Sequence, residues 1–221
     1  MAINTKTYQD LIAALNGKAT LVAVSKTKPA ADILELYAMG QRDFGENYVQ
    51  ELVAKQASLP QDIRWHFIGH LQSNKVKQIA AFVYLIHGVD SLKLLQEINK
   101  QAKKLNKVVD VLLQVHIAKE ETKFGLDEKE LDAIFTGELN AGALQNISIK
   151  GLMGMASMTG DRAAIAKEFS YLKALYDKYA TTAGPLRFLS MGMSGDYTIA
   201  TEHGSNMVRI GSLLFGERSK E

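Results

Sequence analysis

Two spacings of apolar residues alternate along the chain. Residues 20–28 and 108–118 contain long apolar runs, rich in valine and without polar alternation, which is typical of strands buried on both faces. Elsewhere apolar residues recur three and four positions apart, as at Tyr8, Leu11 and Leu15, which indicates amphipathic helices. The pattern therefore predicts a protein in which strands and helices alternate.

Eight strands are predicted in this way. They cover residues 20–28, 42–45, 63–69, 82–89, 108–118, 147–155, 187–193 and 207–212. Seven helical segments connect them, including 73–80 and 127–138, and one further helix precedes the first strand. Such alternation gives a parallel sheet with right-handed connections. Eight strands favour closure into a single-domain (β/α)8 TIM barrel with an extra N-terminal helix, covering residues 1–221.

An open, doubly wound sheet is the competing architecture. That fold usually carries a glycine-rich nucleotide-binding loop after its first strand. The residues at that position are Thr27, Lys28 and Pro29, which do not form such a loop. The closed barrel is therefore the preferred prediction.

Composition and charge exclude several classes of protein. The 26 Lys and Arg residues nearly balance the 24 Asp and Glu residues, so no electrostatic case exists for nucleic acid or membrane as partner. The chain contains no cysteine, which excludes disulfides and thiolate metal sites. The N-terminus lacks the apolar region of a signal peptide, and no segment has the length of a membrane span. A cytoplasmic protein is predicted.

Polar and small residues gather where the predicted strands end. They are Lys26, Asn47, His66, His70, Asp90, His116, Met153, Met155, Ser194, Arg209, Gly211 and Ser212. Parallel α/β proteins bind their ligands at this edge of the sheet. His66 and His70 lie four residues apart around the end of the third predicted strand, and no metal site is predicted there. Asp90 is interpreted, with Ser91, as a helix cap.

Lys26 is the first of these residues to explain. Its simplest interpretation is a lysine whose stem lies along the sheet edge with its ammonium in water. Alternation along the strand instead directs Lys26 into the barrel, and Lys28 is then expected to reach solvent at the rim.

A phosphate site is predicted after the last two strands. Ser194 lies between small residues after the seventh strand, and Gly211 and Ser212 follow the eighth. Backbone amides and hydroxyl groups in such turns can hold a phosphate, and barrels commonly place phosphate sites there. Ordinary tight turns would have the same composition.

A lysine opposite a phosphate site fits a ligand with an electrophilic carbon at one end and a phosphate at the other. Pyridoxal phosphate has this form, because its aldehyde forms a Schiff base with a lysine amine. Arg209 would then face the pyridine nitrogen.

Six sequence blocks resemble the pyridoxal phosphate homeostasis protein family, the single-domain relatives of bacterial alanine racemase. The blocks are VSKTKP at 24–29, FGENYVQE at 44–51, WHFIGHLQSNK at 65–75, GLMGM at 151–155, SMGMSGD at 190–196 and VRIG at 208–211. They occur in order and cover nearly the whole chain.

The resemblance implies a barrel that holds pyridoxal 5'-phosphate as a Schiff base on Lys26. It implies phosphate contacts from Ser194 and the Gly211–Ser212 turn, Arg209 at the ring nitrogen and Asn47 lining the site. Members of the family have no established catalytic activity and influence vitamin B6 and amino-acid balance. The predicted function is therefore cofactor homeostasis without catalytic residues, and the alternative is an amino-acid racemase or another acid–base enzyme acting at the α-carbon.

One position departs from the family pattern. His116 stands where the family usually has asparagine, which leaves the role of that position open.

A monomer is predicted, with pyridoxal phosphate as its ligand and pyridoxal phosphate-dependent apoenzymes as candidate partners.

Overall fold

The computed structural model describes residues 3–120, 123–138, 142–182 and 186–216. Its strands are β1 (Thr20–Val24), β2 (Asp43–Glu46), β3 (Arg64–Phe67), β4 (Leu85–Val89), β5 (Val109–Val115), β6 (Ile147–Gly154), β7 (Phe188–Ser190) and β8 (Met207–Ile210). Its helices are α1 (Thr5–Leu15), α2 (Ala30–Ala38), α3 (Val49–Ser58), α4 (Val76–Ile79), α5 (Leu92–Lys104), α6 (Glu128–Asp132), α7 (Arg162–Thr182), α8 (Tyr197–Glu202) and α9 (Ser212–Phe215). A 3₁₀ turn precedes α4 and a π-helical segment continues α6.

The strands form a closed parallel barrel in the order β1 to β8. Closure is made by β1 and β8, which pair from Thr20 opposite Met207 to Ala23 opposite Ile210. The prediction of a (β/α)8 TIM barrel with a leading helix is confirmed, and the open-sheet alternative is wrong. None of the helices in the described ranges is long and apolar enough to cross a bilayer.

Helix α1 shows how local sequence sets the ends of an element. The Asn4 side chain accepts a hydrogen bond from the Thr7 amide and caps the first turn. Asn16 and Gly17 adopt left-handed backbone conformations that end the helix. The Asn4 amide also donates to the carbonyl of Leu214, which ties α1 to α9.

Two apolar clusters hold the barrel together. The larger one fills the space between the strands and the surrounding helices. The smaller one forms a layer inside the barrel, built from Val22, Leu85, Leu112, Met153 and Met207. Such a layer is usual for this fold, whose interior is a packed core rather than a pore.

Several strands end earlier than the apolar pattern predicts. Strand β1 ends at Val24, although the next residue, Ser25, is still fully buried. Strand β7 ends at Ser190, although the buried Met191 follows it. After β7 the backbone leaves the extended conformation of a strand, and Gly192 has a φ of +96°. An apolar pattern records burial, and burial continues here after strand pairing stops.

Candidate functional site

A cavity of about 450 Å³ opens at the carboxyl ends of the strands. The residues that line it are Val24, Lys26, Lys28, Asn47, Ile68, Met155, Met158, Met193, Ser194, Gly195, Arg209, Gly211, Ser212 and Gly216. The structure therefore brings all six residues of the predicted cofactor site to one cavity, from both halves of the chain.

A tight turn presents Lys26 to this cavity. The amide of Lys28 donates to the carbonyl of Ser25 at 3.0 Å, and Lys26 and Thr27 form the two corners of the turn. Thr27 has a φ of +63°, which is unfavourable for a β-branched residue. The turn rather than strand alternation thus directs Lys26, because β1 has already ended at Val24.

Lys28 lies at the rim of the cavity, but it reaches solvent only in part. Its side chain is half-buried and also lines the cavity. Its ammonium donates to the carbonyl of Phe215 at 2.8 Å, at the C-terminal end of α9. A cation is favourable at this position because helix carbonyls without intrahelical partners point toward it.

A cluster that we call the lysine support lies behind the turn and consists of Ser25, Glu46, Glu51 and Lys55. The Lys55 ammonium donates to Glu46 at 2.7 Å, to Glu51 at 2.6 Å and to the Ser25 carbonyl at 2.8 Å. The Ser25 hydroxyl donates to Glu46 at 2.6 Å, and the Thr27 amide donates to Glu51 at 2.6 Å. Both neighbours of Lys26 therefore donate hydrogen bonds to acidic side chains, Ser25 to Glu46 and Thr27 to Glu51.

The lysine support is deeply buried. Glu46 is fully buried and only 7% of Lys55 is exposed. Burial raises the pKa of Glu46, and the adjacent Lys55 ammonium opposes this shift. Sequence reasoning assigned these residues no role, although three of them lie within the family blocks at 24–29 and 44–51. The four-residue spacing of Glu51 and Lys55 on a helix is common on surfaces.

Arg209 enters the cavity from β8 and is almost completely buried. Its Nη1 donates to the carbonyl of Ser190 at 2.9 Å and to the hydroxyl of Ser190 at 2.6 Å. Its Nη2 donates to the carbonyl of Gly154 at 3.0 Å. Within the described part of the chain, its Nε–H group has no acceptor. Burial lowers the pKa of Arg209 to about 10, so the guanidinium remains charged at neutral pH.

A second cluster, which we call the arginine support, lies inside the barrel and consists of Asp43, His66, His87 and Ser190. His66 Nε2 lies 2.9 Å from Asp43 Oδ1, and His66 Nδ1 lies 2.9 Å from His87 Nε2. His87 Nδ1 lies 3.3 Å from the Ser190 hydroxyl, which also contacts Arg209. His66 was expected at the carboxyl face, but it points into the barrel because it precedes the end of β3.

Burial decides the protonation of the arginine support. It lowers the pKa of His66, and it lowers the pKa of His87 well below the ordinary value, so both imidazoles are neutral at pH 7. Burial would raise the pKa of Asp43, but hydrogen bonds from Arg64 and His66 outweigh it and lower that pKa to about 2. The cluster therefore carries its charge at the Asp43 end only.

Small residues and hydrogen-bonding groups line the rest of the cavity, after β7 and β8 and beside β2. The Ser194 hydroxyl accepts a long hydrogen bond of 3.4 Å from the Gly211 amide. Ser212 begins α9, and the first amides of a helix lack intrahelical partners. On the β2 side, the Asn47 side-chain oxygen is buried without a partner among the described residues. The serine hydroxyls and backbone amides can hold an anion. The Asn47 oxygen can accept a hydrogen bond from a polar group of a ligand.

Other residues singled out in the sequence lie elsewhere. His70 and Asp90 contact each other at 2.8 Å, with half of the His70 side chain exposed, and Ser91 rather than Asp90 caps α5. The His116 ring donates to the carbonyl of Glu120 at 3.0 Å. The described residues include no group of three or more acidic, histidine or cysteine side chains placed to hold a metal ion.

The methionines in and after β6 and after β7 divide into two groups. Met153 and Met191 are buried in the core, as expected for barrel packing. Met155, Met158 and Met193 line the cavity instead, and 88% of Met158 is exposed. Their flexible apolar side chains give the cavity an adaptable wall.

Comparison with known proteins agrees with the geometry. The family described as alanine racemase, N-terminal domain, matches residues 1–219. The chain is 42% identical over 202 residues to the pyridoxal phosphate homeostasis protein of Aquifex aeolicus, covering 90% of this chain and 87% of that protein. It is also 42% identical over 211 residues to the human pyridoxal phosphate homeostasis protein, covering 90% and 76% of the two chains.

Solved structures show the same likeness. PipY of Synechococcus elongatus with pyridoxal phosphate bound is 38% identical, with a TM-score of 0.86 and coverage of 96% of this chain and 99% of that chain. The alanine racemase of Bartonella henselae is 18% identical, with a TM-score of 0.71 and coverage of 97% of this chain and 60% of that chain. The racemase shares the barrel fold, and at this identity the likeness extends no further.

Proposed function

This chain belongs to the pyridoxal phosphate homeostasis protein family, and we propose that it binds pyridoxal 5'-phosphate as a Schiff base on Lys26, for intracellular vitamin B6 homeostasis. The observation that carries the proposal is the cavity itself, which collects Lys26, Arg209 and the small polar wall at Ser194 and Ser212. A relative that is 38% identical over nearly its whole length has been solved with pyridoxal phosphate bound.

The residues around the cavity fit this ligand. An amine, a guanidinium and a hydroxyl-rich turn match the aldehyde, the ring nitrogen and the phosphate of pyridoxal phosphate. In the proposal Ser194, Gly211 and Ser212 hold the phosphate, and the unpartnered Asn47 oxygen receives a polar group of the ring. When bound, the group supplies an aldehyde that condenses reversibly with an amine.

We propose that this chemistry serves storage and release rather than turnover. Arg209 remains a cation at neutral pH, and a cation beside the ring nitrogen disfavours its protonation. A ring that stays unprotonated is a weak acceptor of electrons from an amino-acid carbanion. The names of the relatives, which are homeostasis proteins rather than enzymes, are consistent with this proposal.

The attachment point is tested by borohydride reduction after incubation with pyridoxal phosphate, followed by peptide mass mapping. Wild type and Lys28→Arg are expected to carry the pyridoxyl adduct on Lys26, whereas Lys26→Arg is expected to carry none in the cavity. Lys28 is the matched control because its amine borders the same cavity. An adduct on Lys28 in the wild-type protein would contradict the assignment.

Turnover is tested by incubating the loaded protein with amino acids in heavy water. We expect no steady exchange of the α-proton above the rate given by free pyridoxal phosphate. Steady exchange that disappears in Lys26→Ala would instead support the alternative of an amino-acid racemase or related acid–base enzyme. Assembly as a monomer, a cytoplasmic location and transfer to apoenzymes stay predictions from the sequence.

A further inference from the structure

A chain of hydrogen bonds crosses the apolar interior of the barrel. Its members come from β2, β3, β4, β7 and β8, and both of its histidines are fully buried. Strands β4 and β7 are not neighbours in the closed sheet, so the contact between His87 and Ser190 spans the interior. The chain thereby joins Asp43, the first residue of β2, to Arg209 at the cavity on the opposite end.

The direction of the first bonds follows from Asp43. Arg64 donates to both carboxylate oxygens of Asp43, at 2.7 Å and 2.5 Å, and an ionised carboxylate can only accept. His66 must therefore donate from Nε2. Because a neutral imidazole has one donor and one acceptor, His66 Nδ1 accepts and His87 Nε2 donates to it.

The remaining bonds continue in the same direction. His87 Nδ1 accepts, so the hydrogen of the Ser190 hydroxyl points toward His87. The lone pairs of that hydroxyl are then left to accept from Arg209 Nη1 at 2.6 Å. Every donor in the chain points away from Arg209 and toward Asp43, and bonds aligned in this way strengthen one another.

We propose that Asp43, His66 and His87 are positioning residues for Arg209, which act through Ser190 to fix the orientation of the guanidinium at the cavity. The part of this inference that concerns a bound ring nitrogen rests on the proposed function. The hydrogen-bond chain itself does not, since it is complete without a ligand.

The hydrogen-bond chain is tested first in the protein without ligand, by imidazole ¹⁵N NMR at pH 7. Wild type is expected to show His66 and His87 as neutral rings protonated on Nε2 alone. A charged ring, or a proton on Nδ1 of either residue, would overturn the direction assigned to the chain. This measurement needs no variant, so it holds even where a substitution prevents folding.

Transmission along the chain is tested with Asp43→Asn. Its ¹⁵N signals from His87 are expected to shift, although Asp43 does not contact that residue. The matched control is Asp62→Asn, which makes the same chemical change at an exposed aspartate that is also paired with an arginine, Arg42. Equal His87 signals in both variants would show that the chain does not carry the effect.

The effect on the cavity is measured with pyridoxal phosphate bound. Asp43→Asn is expected to weaken retention of pyridoxal phosphate by about 2-fold to 30-fold and to move its absorption band, whereas Asp62→Asn leaves both unchanged. Unchanged retention and absorption in Asp43→Asn would overturn the positioning role while leaving the proposed function intact. Failure of wild type to bind pyridoxal phosphate would overturn the proposed function, and the NMR experiment would still test the chain.

Discussion

The lysine support and the arginine support solve the same problem with different chemistry. The lysine support holds the two neighbours of Lys26 in the sequence. The arginine support holds Arg209 itself, through Ser190. The lysine support uses three ionisable side chains in direct contact, Glu46, Glu51 and Lys55. The arginine support uses two neutral histidines and a serine, with the carboxylate of Asp43 at its far end.

This difference predicts unequal sensitivity to substitution. Removing one partner from a buried ion pair leaves an uncompensated charge and costs about 3–5 kcal/mol. Removing one neutral partner leaves a single unsatisfied polar atom and costs about 1–3 kcal/mol. The lysine support is therefore the more fragile of the two, and the arginine support tolerates loss of a member better while responding more strongly to pH.

The largest effect is expected for Lys55→Met. The variant leaves the fully buried Glu46 and the partly exposed Glu51 without their cation, and we expect the free energy of unfolding to fall by about 3–5 kcal/mol in urea denaturation. Lys178→Met is the matched control, because Lys178 also pairs with two carboxylates but is exposed, and we expect a much smaller change.

A second variant separates charge from packing in this prediction. The double variant Lys55→Met/Glu46→Gln also removes the charge of the Glu46 carboxylate, which Lys55→Met leaves without a partner. It should therefore recover part of the lost stability. If the double variant were less stable than Lys55→Met alone, uncompensated charge would not be the cause.

An intermediate effect is expected on acidification. Unfolded histidine titrates near pH 6.5, while the pKa values of His66 and His87 are lowered by burial, so the unfolded state binds more protons below that pH. Their contribution to stability is complete above about pH 6.5. Below it, stability should fall with pH until the folded-state pKa of each histidine is reached, with a slope of at most about 1.4 kcal/mol per pH unit for each histidine.

The variant His87→Asn isolates this effect, since its amide oxygen can still accept from Ser190. Stability measured between pH 6.5 and 5.5 should fall less steeply in His87→Asn than in wild type. The difference in slope should be at most about 1.4 kcal/mol per pH unit, the value for one proton. Parallel curves for the two proteins would contradict a neutral, buried His87.

The smallest effect is expected for Glu51→Gln. The amide oxygen still accepts from Thr27, and Lys55 keeps its contact with Glu46, so we expect a loss of about 0.5–1.5 kcal/mol. Glu51→Leu, which removes the acceptor as well, should be less stable and should release pyridoxal phosphate faster. Equal release rates would show that Glu51 does not hold the turn next to Lys26.

Much of the fold could be predicted from the sequence because its signals are local. Apolar runs and helical spacings placed all eight strands, and their number led to barrel closure. The ends of elements were less certain, as at β1 and β7, where burial outlasts strand pairing. The helix expected at 127–138 is α-helical only to Asp132 and continues as a π-helical segment.

The cavity residues were predicted by a different kind of signal. Parallel strands bring the residues at and just after their carboxyl ends to one edge of the sheet. The predicted residues at such positions are Lys26, Asn47, Ser194 and Arg209. Among the residues of the two supports, only His66 was predicted at this edge, and the structure places it inside the barrel. Asp43, His66 and His87 are each ordinary strand residues, and only the closed barrel brings β4 and β7 face to face.

The sequence by itself determined the architecture, the family and the edge at which a ligand would bind, since these depend on periodicity and on short ordered blocks. Only the tertiary structure decided which buried groups support Lys26 and Arg209 at the cavity. It also decided the direction of the chain from Arg209 to Asp43, because a hydrogen bond has a donor and an acceptor only after its partners have met.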